Sequence, residues 1–158
     1  MKNSVFAIVF IFAFSAIGIS QTDFGVKGGV NLTFFNENQE DFGEQASAEV
    51  GYFGGLFVDF TVDERFHIQP EILYKGVGEF QFINVPIYAK YYVADNVSLL
   101  VGPSMNYFFD FLTNKFKVRA DISAAYDVSE IIDVNLKYSL GLEELSPNVL
   151  FLGVGVRL

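Results

Sequence analysis

The chain has 158 residues, 51% of them hydrophobic and 17% aromatic, and it carries a net charge of −9. The excess of acid argues against a nucleic-acid partner, because phosphate backbones are bound by clusters of Lys and Arg. There is no cysteine, which excludes disulfides, thiolate metal sites and a lipid-anchored cysteine at a mature N-terminus. After the first 20 residues no apolar run reaches the roughly 18 residues that a membrane-spanning helix needs.

Residues 1–20 have the pattern of a secretory signal peptide. Lys2 precedes an apolar run over Val5–Ile17, and small residues follow as far as Ser20. A single membrane anchor is the alternative, but the run is short for a span and no positive charge follows it. We therefore expect residues 1–20 to be a signal peptide removed on export, and residues 21–158 to form one domain.

From Phe24 onward apolar residues recur at every second position, which is the period of a β-strand with two unlike faces. Val26 and Val30, for example, share one face, while Lys27 and Asn31 share the other. Each segment approximates the roughly 9–11 residues of a tilted transmembrane strand. The predicted strands are 24–34, 50–62, 66–75, 83–93, 97–109, 116–128, 132–142 and 149–158. Eight strands suit a closed antiparallel barrel with both termini at one end.

The predicted connections alternate in length, as they do in outer-membrane barrels. The longer ones are 35–49, 76–82, 110–115 and 143–148, and the tight turns are 63–65, 94–96 and 129–131. Pro70, Pro86 and Pro103 fall inside predicted strands, where proline removes a ladder donor. Because a closed barrel has no edge strand, we expect bulges or register breaks at these three points.

A soluble lipocalin-type barrel would show the same alternation with its apolar face turned inward. Three observations favour lipid outside. The apolar face carries no charged residue, its aromatic residues concentrate near strand ends, and the polar face is rich in glycine. Aromatic rings are favoured at the headgroup level, and glycines make room for long side chains in a narrow lumen. The sequence predicts a closed, all-β, eight-stranded antiparallel transmembrane barrel with a filled polar interior.

Charged residues on the polar face are nearly balanced, as a lumen poor in water requires. We interpret them as a structural charge network, formed by Lys27, Asp59, Glu71, Lys75, Lys90, Asp110, Lys117, Arg119, Asp121, Asp127, Asp133, Lys137 and Arg157. The connection 35–49 carries only acids, namely Glu37, Glu40, Asp41, Glu44 and Glu49. It could bind a divalent cation or a partner, but the spacing of a calcium loop is absent, and a solvated surface loop is the favoured interpretation.

Several blocks resemble the PorT-like outer-membrane β-barrel proteins, small porin-family barrels of the OmpX and OmpA kind. They are GVKGGVN at 25–31, HIQPEILYKG at 67–76, INVPIYAKYYV at 83–93, LLVGPSMNYFF at 99–109, LKYSLGLEEL at 136–145 and LFLGVGVRL at 150–158. The resemblance implies an eight-stranded barrel in the outer membrane, and it implies no catalytic residue. Chains of this kind usually end in an aromatic residue, whereas this one ends in Leu158.

These features favour a non-enzymatic barrel with a structural or surface-interaction role. Alternatives are a narrow porin-like channel for small solutes and an accessory of a secretion system. The sole histidine, His67, follows a tight turn, where a hydrogen bond to Asp59 or Asp63 is a better interpretation than catalysis. We expect no cofactor and no metal. The expected partners are outer-membrane lipid and, during biogenesis, periplasmic chaperones and the barrel-assembly machinery, with the mature protein a monomer.

Overall fold

The computed structural model describes residues 22–34, 48–78, 80–109, 116–142 and 148–158. These residues form eight antiparallel strands that close into one barrel, in the order of the sequence. The strands are β1 Thr22–Phe34, β2 Ala48–Thr61, β3 Phe66–Val77, β4 Phe80–Ala94, β5 Val97–Phe108, β6 Phe116–Asp127, β7 Ile132–Gly141 and β8 Asn148–Arg157. Pairing of β8 with β1 completes the ring. The predicted fold class is confirmed.

The β3–β4 connection is shorter than the expected 76–82. Both strands continue until Val77 pairs with Phe80, so that only two residues join them. Gly78 has a φ of 55°, a backbone conformation that glycine adopts readily and that two-residue hairpin turns require. The alternation of apolar and polar residues does not predict this end of the hairpin. Val77 and Phe82 face inward although they are apolar, and Gly76 lies on the outer face beneath the ring of Tyr52.

The expectation of bulges at the prolines is wrong. The register of β3 against β4 is the same on both sides of Pro70, and that of β4 against β5 is the same on both sides of Pro86. Pro103 pairs with Ala120 within an unbroken β5–β6 register. The one register shift among the described strands lies at Tyr92 and Ala94, next to a tight turn. Each proline therefore costs a ladder donor without displacing its strand.

Side chains alternate between a lumen and an outer face. The outer face exposes aliphatic residues along the middle of the strands, such as Val101 at 58% and Ile122 at 53%. Aromatic residues lie on this face toward the strand ends: Phe24, Tyr91 and Tyr126 at one end, and Phe34, Tyr52, Tyr74, Phe109 and Phe116 at the other. An aliphatic band between two aromatic girdles is the surface that a transmembrane barrel presents to lipid.

Backbone hydrogen bonds connect neighbouring segments at one end of the barrel. This end holds the short turns, the start of β1 and the end of β8. The amide of Tyr92 donates to the carbonyl of Arg65, and that of Asp127 donates to Asn96. The amide of Leu158 donates to Phe24, which joins the end of the chain to β1. Residues 35–47, 110–115 and 143–147, which come between β1 and β2, β5 and β6, and β7 and β8 in the sequence, are outside the described residues.

Candidate functional site: the barrel interior

Most of the inward charges predicted from the sequence are buried in the lumen. Their side chains come from seven of the eight strands, β5 excepted. Buried are Lys27, Asp59, Glu71, Lys75, Lys90, Arg119, Asp121, Asp133 and Lys137, while Lys117, Asp127 and Arg157 are half-buried. Asp110 lies outside the described residues, as do four of the acidic-loop residues, Glu37, Glu40, Asp41 and Glu44. Glu49, the fifth, belongs to β2, where it pairs with Thr33.

The first polar cluster joins β1 to β3. The Nζ atom of Lys27 lies 2.5 Å from Oε1 of Glu71. The same oxygen accepts a hydrogen bond of 2.8 Å from the amide of Gln69. Both members of the ion pair are buried, so the carboxylate depends on these two donors in place of water. The pair connects β1 to β3 across the intervening β2.

The second cluster centres on Asp59 near the end with the short turns. Its Oδ2 accepts from Nζ of Lys90 at 2.7 Å, and its Oδ1 lies 2.7 Å from Nδ1 of His67. The His67 ring lies 5.1 Å from that of Tyr92, centroid to centroid. The sole histidine thus contacts one of the two carboxylates expected beside it, and that carboxylate already has a lysine partner. This arrangement has the geometry of a structural ion pair.

A third cluster lines the mouth at this same end. Nη2 of Arg157 donates to Oδ1 of Asp127 at 2.8 Å, and Nη1 donates to the carbonyl of Glu130 at 2.9 Å. The hydroxyl of Tyr92 donates to Oδ2 of Asp127 at 3.2 Å. The guanidinium and the phenol therefore close the mouth over the Asp59 cluster.

The middle of the lumen holds Asp121 and two lysines. Asp121 accepts from the hydroxyl of Tyr88 at 3.0 Å and from that of Ser139. Lys75 and Lys137 instead place their Nζ atoms against the ring of Phe151, at 4.1 and 4.6 Å from its centroid. Cation–π contacts of this kind are strongest where water is excluded.

Glycines leave the space that the aromatic residues fill. A Cβ built on Gly153 would lie 2.6 Å from the ring of Phe53, and one on Gly29 would lie 2.9 Å from it. Phe53 in turn packs edge-on against Phe151, with 5.5 Å between ring centroids. Phe53, Leu73, Val149 and Phe151 form one apolar cluster inside the barrel. The lumen is therefore occupied by side chains over this layer.

Sequence reasoning missed the uncharged polar residues of the interior. Asn84 donates to Asn106 at 2.6 Å, and Asn135 donates to Asp133 at 2.9 Å. These residues occupy the same alternate positions as the charges, so the period-2 pattern identifies them as inward, but it does not tell which of them pair. Within the described residues no three His, Cys, Asp or Glu side chains come together as metal ligands, and no helix is long and apolar enough to cross a membrane.

No curated protein sequence matches this chain. A family model described as "Outer membrane protein beta-barrel domain" matches residues 19–79. Among solved structures, the attachment invasion locus protein Ail of Yersinia pestis, in complex with the heparin analogue sucrose octasulfate, is 12% identical, with a TM-score of 0.58 over 87% of this chain and 99% of Ail. A de novo designed transmembrane β-barrel is 17% identical, with a TM-score of 0.56 over 88% of this chain and 95% of the design.

The class of protein follows from these likenesses and from the two faces of the barrel. By fold the chain is a closed, eight-stranded antiparallel β-barrel that is similar to outer-membrane barrels, with an apolar outer face and a lumen filled by paired charges and aromatic rings. It resembles Ail in architecture, and a likeness at 12% identity extends to the fold alone.

Proposed function

We propose that this protein is an exported, non-enzymatic barrel of the outer membrane, which carries surface segments on a rigid and closed scaffold. The observation that supports this most is the filled lumen, where the ion pairs Lys27–Glu71 and Asp59–Lys90 each link two strands that are separated by a third. Because the lumen of such a barrel is filled, its surface connections are the parts that can contact other molecules. We further propose, on the motifs quoted above, that it is PorT-like.

The chemistry of the β1–β2 connection, residues 35–47, restricts which partners the surface can take. It carries four acids, Glu37, Glu40, Asp41 and Glu44, and no base, so it would repel a polyanion such as the heparin analogue bound by Ail. If this segment contacts a partner, we propose that the partner surface is cationic. A pull-down from intact envelopes would identify it, and recovery of a secretion component would favour the accessory role over a purely structural one.

Fractionation combined with mass spectrometry tests the export and the location. We expect heat-modifiable migration in the outer-membrane fraction and a mature chain that begins just after Ser20. An intact Met1 in the inner-membrane fraction would contradict the proposal. A control variant, Ile8→Asp, interrupts the apolar run of residues 5–17 and should remain unprocessed.

Cleavage by a glutamate-specific protease tests which end of the barrel faces the cell exterior. In intact cells we expect cleavage within 35–49, which offers Glu37, Glu40 and Glu44. Glu64 and Glu130 lie in exposed short turns at the other end and should be cut only after the envelope is opened. Cleavage at Glu64 or Glu130 in intact cells, with 35–49 protected, would show the reverse orientation.

A further inference from the structure

Lys75 and Lys137 form a pair of buried cations that share one aromatic ring. They are exposed by 1% and 4%, and both Nζ atoms lie within 4.6 Å of the Phe151 centroid. Lys75 extends from β3 and Lys137 from β7, so the barrel brings them together from distant parts of the chain. Lys137 also lies 5.8 Å from the ring centroids of Phe53 and Tyr88.

Neither lysine has a carboxylate partner among the described residues. Lys27, Lys90 and Arg157, by contrast, each place a side-chain nitrogen within 2.8 Å of a carboxylate oxygen. The two acids nearest to Lys137 in electrostatic terms, Glu71 and Asp121, are already hydrogen-bonded to other donors. The close contacts of the two lysines are therefore with ring faces and with each other, whereas Glu71 and Asp121 attract them only from a distance.

The fully buried charges of the described lumen are positive on balance. Four buried acids, Asp59, Glu71, Asp121 and Asp133, are set against five buried bases, Lys27, Lys75, Lys90, Arg119 and Lys137. An excess of buried positive charge is costly without a counter-charge. Attraction to the aromatic rings offsets part of that cost but supplies no negative charge.

We propose that Lys75 and Lys137 together bind a small inorganic anion of halide size. Two ammonium groups provide the donors and the charge, and the long, flexible lysine stems allow their tips to separate around an ion. The surroundings favour a halide over an oxyanion. Phe53, Leu73 and Val149 pack around Phe151 and offer no side-chain hydrogen-bond donor, so that several oxygens of an oxyanion would be left without partners.

Unfolding in lipid vesicles, with urea as the denaturant, tests the proposal on the full-length mature protein. Sodium chloride is compared with sodium gluconate at equal ionic strength, since gluconate is an organic carboxylate and far larger than a halide. A ligand that binds only the folded state lowers the unfolding equilibrium constant in proportion to its concentration above Kd. We expect about a tenfold decrease for each tenfold rise in chloride in this range, and no decrease in gluconate.

Lys75→Met and Lys137→Met should each abolish the dependence on chloride. The matched control is Lys27→Met/Glu71→Leu, which removes a buried lysine together with its carboxylate and should retain the dependence. Equal unfolding in the two salts, or a chloride dependence that survives in both single variants, would overturn the proposal.

Anomalous diffraction from unaltered protein crystallised in bromide gives a second test, which does not depend on how the variants fold. A bromide peak in contact with both Nζ atoms supports the site. The absence of a peak there, or bromide only at the protein surface as an adventitious ion, overturns it.

Discussion

Replacing Lys27 by Met measures how strongly the lumen depends on paired charge. The ammonium of Lys27 lies 2.5 Å from Glu71, and the two residues are exposed by 9% and 2%. The variant leaves the carboxylate buried with one donor, Gln69 at 2.8 Å. Methionine has similar length to the lysine stem, so the change in packing is small and the loss of charge dominates.

The expected loss of unfolding free energy is large for a single residue. Breaking a buried ion pair by removing one partner costs about 3–5 kcal/mol, and the remaining Gln69 bond places the expectation near the lower value, about 3 kcal/mol. The double variant Lys27→Met/Glu71→Leu removes both charges. It leaves only the Gln69 amide without its acceptor, for about 1–2 kcal/mol. The double variant should therefore be more stable than the single one.

Reversible urea unfolding in lipid vesicles gives these free energies directly. Glu130→Gln is the matched control, because Glu130 is exposed in a short turn and its loss should change stability by less than about 0.5 kcal/mol. A solvated surface ion pair contributes less than about 1 kcal/mol to the free energy of unfolding, and Lys27→Met would show a loss of that size if water reached the pair. That result would refute the view of a lumen poor in water.

Two further substitution pairs test the facing and the packing of the strands. Ile122→Arg places a charge on the exposed outer face in the middle of β6 and should lower the free energy of unfolding by about 2–4 kcal/mol. Val93→Arg, next to the end of β4, should lower it by about 0–1 kcal/mol. Equal losses in vesicle unfolding would contradict the depth assigned to the two residues. Gly55→Ala should be destabilising by about 1–3 kcal/mol, because the added Cβ would collide with the Ile72 carbonyl. At Gly54 an added Cβ meets nothing closer than 3.8 Å, so Gly54→Ala should unfold at nearly the same urea concentration as the unaltered protein. Equal losses of stability at positions 54 and 55 would contradict the packing.

The strands were predictable from the sequence because a barrel wall has two chemically opposite faces. The predicted and observed bounds of β5 to β8 differ by one residue or none at each end. The largest difference, three residues at the start of β4, lies at the β3–β4 hairpin, where the chemistry of the two faces is inverted. Val77 and Phe82 are apolar but inward, and Gly76 is outward. The hydrophobicity of a residue therefore does not indicate here whether its side chain faces the lumen or the lipid.

The partners of the interior charges were not predictable, since they depend on the registers of eight strands. Asp59 meets His67 of the neighbouring β3 but reaches Lys90 of β4 across that strand. Lys27 likewise reaches Glu71 across β2, and Lys75 meets Lys137 from β3 and β7. Such contacts depend on strand tilt and lumen width, neither of which can be derived from the sequence of a single strand. The alternation within one strand shows that a residue faces inward, but its partner depends on how all eight strands are arranged.

The central claim is that side chains fill the lumen, and single-channel recording tests it most directly. Phe53, Tyr88 and Phe151 are exposed by 4%, 1% and 2%, and ion pairs bridge the space between them and the mouth with the short turns. Refolded protein in a planar lipid bilayer should therefore show no stable unitary current. Reproducible unitary currents that grow when Lys90 or Arg119 is replaced by Ala would contradict the account and establish a channel lined by these residues.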